Sequence, residues 1–326
     1  MDGMSDKIIQ DARAFLSDAE SNESTNRKRW QEDVKFARLG EQWPKAIRDR
    51  RELENRPCLT INKLGPVIRQ VVNDARQNRP AIKVLPQDSN ADPQTAEIMT
   101  GLIRNIEQSS NADVAYDKAI DDAVSGGWGY WRVNLDYANN IDIDNLENLG
   151  PEAFEKDICI ERVMNPLSVY GDPNSTAADS SDWMEALVIE RMSDKAFTKK
   201  YPDAKKSSFE SSEWSDVESA WKTEKQITVG EYWVREEVTV QIVSVQLADG
   251  VNPETGEPLL GDVVTFKADK WEELQQQGQM GQVIGQPRPV KSYKVMQYIV
   301  TGVEVLEENE WPGTYIPIIP VFGDEV

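Results

Sequence analysis

The sequence predicts an α+β fold, with a helical N-terminal region followed by a strand-rich mixed region. Two observations carry this. Over residues 1–127 the apolar residues recur every three or four positions, the spacing of a single helix face. From Trp128 the pattern shifts to near alternation and to short runs rich in Val, Ile, Tyr and Thr, which pleated surfaces favour. The chain therefore divides into a helical part, 1–127, and a strand-rich part, 128–326.

Taken in order, Ile8, Ile9, Ala12, Phe15, Leu16 and Ala19 mark a first helix, and the polar stretch Ser21–Asn26 predicts a break. Trp30, Val34 and Ala37 mark a second helix, stopped by Gly40 or Pro44. Ile61, Leu64, Ile68, Val71, Val72 and Ala75 form an amphipathic face that opens near Thr60 or Asn62 and ends at Pro80. Ile82, Val84 and Leu85 predict a short strand. Residues 91–109 read as a helix with Pro93 in its first turn, and 114–124 as another closed by Gly126 and Gly127.

Strands are predicted at 128–137, 158–163, 167–170, 186–191, 227–234, 238–247, 263–267 and 290–301. The segment 249–258 reads as a turn-rich connector. The Gln/Gly tract 275–286 reads as a mobile, low-complexity stretch.

Composition removes whole classes of chemistry. The 326 residues contain no histidine, so a Ser-His-Asp triad, a Cys-His pair and an HExxH zinc site are impossible within them. The two cysteines, Cys58 and Cys159, form no CxxC pair and are expected as free thiols. No apolar run approaches the roughly 20 residues that span a bilayer, so no membrane partner is expected. The formal net charge of -21 repels DNA phosphates and suits a wall past which DNA slides. The glycines at 126, 127 and 129 lack the following Gly-Lys-Ser/Thr of a phosphate loop, which leaves a helix-to-strand turn. No cofactor is expected.

Charge is segregated along the chain. Residues 27–51 are basic, and Arg27, Lys28, Arg29, Arg48, Arg50 and Arg51 are candidates for a nucleic-acid or subunit contact. Acids outnumber bases from Asp88 to Glu190. Asp142, Asp144 and Glu147 are oxygen donors at close spacing, but without an EF-hand's glycine and terminal Glu they read as a solvated loop. Asp121 and Asp122 diverge on their helix, and Asp172 with Pro173 fits a β-turn. A metal-dependent nuclease or hydrolase acting through carboxylates is the alternative from another class, and it needs two or three of them to converge.

Several stretches together resemble the portal proteins of short-tailed phages. They are RWQEDVKFARLGEQWP; RPCLTINKLGPVIRQVVNDARQNRPAIKVLP, with Asn78, Arg79 and Pro80; DDAVSGGWGYWRVNLDY, with Gly126, Gly127 and Trp128; and DICIERVMNPLSVYGDP, with Asn165, Pro166, Asp172 and Pro173. Tyr201-Pro202, Glu231-Tyr232-Trp233 and GTYIPIIPVFG follow in the same order. The resemblance implies a portal wing: a non-enzymatic virion subunit, assembled in the host cytoplasm into a ring, usually of twelve, at one capsid vertex. Its implied partners are further copies of itself, the capsid protein, terminase, a tail adaptor and the double-stranded DNA in the channel. Another head-tail connector is the nearer alternative. Family members continue past the last segment into stem, clip and crown or barrel, so those parts are expected to be absent from these 326 residues.

Overall fold

The computed structural model describes residues 2–38, 42–86, 92–137, 156–209, 226–251 and 258–323. Helices α1 (Asp2–Ala37), α2 (Lys45–Leu53), α3 (Leu64–Gln77), α4 (Pro93–Ser109) and α5 (Ala112–Gly126) precede β1 (Trp128–Tyr137) and β2 (Lys156–Arg162). A 3-10 turn (Pro166–Ser168) leads into β3 (Val169–Tyr170), β4 (Glu185–Ser193) and α6 (Asp194–Lys200). Then come β5 (Gln226–Val251), β6 (Pro258–Lys267), α7 (Ala268–Gln276), β7 (Gly281–Val300), β8 (Val305–Trp311) and β9 (Ile318–Phe322). The α+β prediction holds.

All the strand pairings are antiparallel. One sheet has the order β2-β1-β9. The other runs β3-β4-β5-β7-β8, with β6 also paired to β5. The two sheets share a core in which Tyr130 and Ile318 of the first meet Val188, Trp233 and Val295 of the second. Arg132 on β1 crosses between them, 3.0 Å from Glu161 on β2 and 2.9 Å from Glu231 on β5.

α1 is built on the large sheet. Ile9, Ala12, Phe15, Leu16 and Ala19 sit on one helix face and pack against Leu187, Ile189, Tyr232 and Val300. Burying side chains of the size of Phe15 and Leu16 contributes about 1.5–3 kcal/mol each. The helical and strand-rich parts of the sequence thus share this core.

α5 is the hub of the smaller helices. Its buried face is Ala112, Ala115, Ala119 and Ala123, and such small residues let neighbouring backbone come close. A Cβ on Gly129 of β1 would fall 2.2 Å from the Ala119 carbonyl oxygen.

Four expectations are corrected. The break at Ser21–Asn26 does not occur, and α1 runs straight through it. The polar side chains there bond along the helix, as when Asn22 Nδ2 donates to the Asp18 carbonyl at 2.9 Å, and packing on both flanks overrides propensity. Ile82–Leu85 pairs with no strand among the described residues. Instead the Val84 N–H donates to Thr100 Oγ1 at 3.0 Å, holding the segment against α4. The strands expected at 227–234 and 238–247 are one strand, β5, continuous across the charged residues Arg235–Glu237 because β7 pairs along it. The Gln/Gly tract ends α7, turns at Gly278 and becomes the start of β7. Its β-strand part pairs with the far half of β5, where Trp271 of α7 covers Val243 and Val245. Gly40, residues 141–147 and residues 252–257 lie outside the described residues.

Candidate subunit and nucleic-acid interface

The basic candidates do not form one surface. Arg27 points inward from α1 and is 9% exposed. Its Nη1 donates to the Val169 carbonyl at 3.0 Å, its Nη2 donates to the Leu167 carbonyl, and Glu23 one turn back lies 2.8 Å away. The guanidinium covers the Tyr170 ring at 3.9 Å. Burial pushes the Glu23 carboxyl above its ordinary pKa, against the pull of Arg27. Arg27 is therefore an internal fastener and is unavailable to phosphate.

Lys28 and Arg29 are exposed on α1, and Arg50 is exposed on α2. Arg48 and Arg51 are half-buried. Arg51 donates to the Pro57 carbonyl at 2.9 Å and lies 4.9 Å from the Trp43 ring centre. Trp43 thereby carries a cation over its ring.

Residues 78–80 end α3 as expected. Asn78 Nδ2 donates back to the Asp74 carbonyl at 2.9 Å. Arg79 reaches α5, pairing with Asp113 and, at 2.7 Å, with Asp117, which also takes Arg76 at 2.8 Å. The Arg79 guanidinium lies 5.1 Å from the Tyr116 ring, which meets Trp131 edge-on at 5.0 Å. Burial and Glu107 push the Tyr116 hydroxyl up to about 12. Pro80, lacking an N–H, follows the helix where no further turn can form.

The GGWG turn joins α5 to β1. Gly127 has φ 104°, a conformation that β-branched residues resist, and its N–H donates to the Ala123 carbonyl at 2.8 Å. Gly126 is needed for proximity, since a Cβ there would fall 2.4 Å from Trp30 Nε1. That indole donates to the Trp128 carbonyl at 3.0 Å, tying α1 to the start of β1.

Asn165 Oδ1 accepts from the Leu167 N–H at 3.1 Å, and Pro166 opens the 3-10 turn. Asp172 closes its turn by accepting from the Asn174 N–H and from the Met184 N–H, both at 2.9 Å. Pro173 occupies the turn position expected. Asp182 accepts from Ser175 Oγ at 2.7 Å and from the N–H groups of Thr176 and Ala177, which lower its carboxyl to about 2. Every one of these motif residues therefore fixes a turn, a helix end or a contact between elements.

Among the described residues, no three or more Cys, Asp or Glu side chains gather as metal ligands would. Asp121 pairs with Arg38 at 2.8 Å, and Asp122, buried, pairs with Lys118. Burial raises the Asp122 carboxyl pKa.

The family model of the phage P22-like portal protein matches residues 13–326. The chain belongs to this family. A portal protein of Acyrthosiphon pisum secondary endosymbiont phage 1 is 28% identical over 319 residues, covering 94% of this chain and 41% of that relative. The chain thus spans about two-fifths of the length of the curated relative it matches.

Two features of this portal-family chain escaped the sequence reading. The first is the Arg132–Glu161–Glu231 bridge between the sheets. Nothing in the spacing of those residues shows it, because the sheets meet only in three dimensions. The second is the exposure of apolar side chains around α3 and α4: Ile61, Leu64 and Val71, expected to share one amphipathic face with Ile68 and Val72, point outward instead, beside Leu59, Val67 and Ile98. Here there was a signal. Apolar positions on α3 cover more than one stripe, which one packing partner does not require.

Proposed function

We propose that the chain is a structural portal subunit, part of a ring at one capsid vertex through which viral DNA enters and leaves. The observation that carries this is the family match across 13–326. In this reading the helical part, 1–127, and the strand-rich part, 128–326, together form the wing. Its partners are copies of itself, the capsid protein, terminase, a tail adaptor and passing DNA. It belongs to the virion and assembles in the host cytoplasm.

The geometry supports a scaffold that performs no catalysis. Buried charges such as Arg27 and Asp122 are spent on neighbours in the fold. The absence of histidine and of a Gly-Lys-Ser/Thr motif removes the commonest hydrolytic arrangements. The net charge of -21 keeps DNA from adhering, as a conduit needs. The test is assembly of phage particles with and without the gene. Particles lacking it should hold no packaged genome, and full packaging in its absence would overturn the reading.

A further inference from the structure

A cleft runs along one side of α1, between that helix and the loop joining β3 to β4. Asp11, Asp18, Asn22 and Asn26, seven and four residues apart, stand along one edge of α1 and form the first wall. Asp172 and Pro173 of the loop form the other, with Trp183 and, at the start of β4, Glu185. The cleft has two chambers, of about 350 and 710 Å³, which adjoin at Asp172 and Pro173. From Asp11 to Asn26 it follows α1 for roughly 22 Å, at about 1.5 Å per helical residue.

The smaller chamber is acidic. Asp11, Asp18, Asp172 and Glu185 line it, and no lysine or arginine does. None of the four forms an ion pair among the described residues. Nor do they converge as the ligands of a metal would, since they are spread along the cleft.

The larger chamber is aromatic. Trp128 and Phe322 sit opposite each other on β1 and β9, and Tyr130 follows two residues on along the same sheet face. Trp183 closes this floor from the loop, 6.5 Å from Tyr130 between ring centres. Tyr130 is only 6% exposed, yet its hydroxyl has no hydrogen-bond partner among the described residues. Buried polar groups are ordinarily paired, and this one belongs to a residue that lines the cleft. Glu23 also lines the chamber, but Arg27 already holds it.

We propose that this cleft binds a linear aliphatic polyamine. Its ammonium groups lie among the carboxylates of the smaller chamber, and its methylene chain continues over the aromatic floor of the larger one. An anion would meet a lining without cations. A divalent metal ion asks for convergent oxygen ligands and has no use for Trp128 or Phe322. An alkylammonium chain uses both chambers. It donates charge-assisted hydrogen bonds to the carboxylates, and aromatic faces attract its charge. The Tyr130 hydroxyl, which can accept as well as donate, serves the buried end. Both chambers have the size of small-molecule sites. The site is a property of this chain and does not depend on the portal reading.

The test is isothermal titration calorimetry of the whole chain with spermidine. It is done at physiological salt, which screens diffuse attraction to a net charge of -21. One saturable site is expected. The double variant Asp11→Asn, Asp18→Asn, at two exposed positions, should weaken binding by about tenfold or more. Tyr130→Phe, which removes the hydroxyl alone, should weaken it by about threefold. Glu272→Gln, at an exposed acid on α7 outside the cleft, should leave it unchanged. Circular dichroism verifies folding, and Tyr130→Phe stands in if the double variant fails to fold. Absence of saturable binding, or equal affinity in the wild type and both cleft variants, overturns the proposal. A loss in Glu272→Gln as large as in the double variant also overturns it, because attraction would then be spread over the surface. A tetralysine peptide that binds more tightly than spermidine would assign the cleft to a basic peptide and overturn it as well.

Discussion

Arg27 of α1 lies flat over Tyr170 of β3, 3.9 Å from its ring centre, while both of its terminal nitrogens donate to carbonyls beside that strand. A residue from the most basic stretch of the chain is thus used to fasten a helix to a sheet. Arg27→Ala strands the Val169 and Leu167 carbonyls and removes the partner of Glu23. It should cost about 2–4 kcal/mol of stability by chemical denaturation. Lys28→Ala, on the exposed neighbour, should stay within about 0.5 kcal/mol of wild type. Equal effects would show that Arg27 is not a fastener.

Arg79 should resist conservative replacement. Its planar fork spans Asp113 and Asp117 while its face covers Tyr116, and a lysine ammonium offers neither the fork nor the face. Both Arg79→Lys and Arg79→Ala should lower stability by about 1–2 kcal/mol. A lysine variant that melts like wild type would mean that charge alone suffices there.

Two glycines should respond in opposite directions. Gly127→Val forces a β-branched residue into φ 104° and should cost about 1 kcal/mol or more. Gly101 lies inside α4 with open space where a Cβ would go, so Gly101→Ala should stabilise by about 0.5–1 kcal/mol. Melting temperatures of the two variants check the signs.

The pH dependence of the 172–184 loop follows from Asp182. Its carboxyl is held at about 2, below its ordinary value of 3.8, by the hydroxyl of Ser175 and the N–H of Thr176. A depressed carboxylate contributes stability that is fully present above the unfolded value and is lost as pH falls through the folded one. Wild type should therefore be more stable than Asp182→Ala at pH 7. That advantage should shrink as pH falls from about 4 to about 2. A difference that does not change with pH would mean that the hydrogen bonds do not favour the ionised form.

The legible parts of the fold were those fixed by local chemistry. Pro93 opens α4, Gly127 closes α5, and Asp172 with Pro173 makes a turn, because helix-end and turn geometry act over a few residues. The Ser21–Asn26 stretch misled because its polar side chains, which favour breaks in isolation, are outweighed by the packing of Phe15 and Leu16 on one flank and Trp30 on the other. The unity of β5 was hidden for a similar reason. Arg235 interrupts the apolar pattern, yet it is buried and donates to the Ser181 carbonyl at 2.6 Å. Among the candidate contact residues, sequence charge grouped Arg27 with Lys28, Arg29, Arg48, Arg50 and Arg51 but could not say that Arg27 faces inward. Burial depends on the sheet that α1 meets 140 residues later in the chain.

Weak attachment to duplex DNA is the expected electrostatic behaviour. With a net charge of -21, binding to random duplex at physiological salt should be no tighter than about 1 µM and should fall steeply as salt rises. Filter binding across a salt series measures this. Tight binding that ignores salt would be incompatible with a sliding wall.

The portal reading itself is tested most directly by where the chain sits in the virion. Particles carrying an affinity tag on this chain, decorated with gold and imaged by electron microscopy, should show label at one vertex of each capsid. Label distributed over the whole shell, or absent from purified particles, would contradict it.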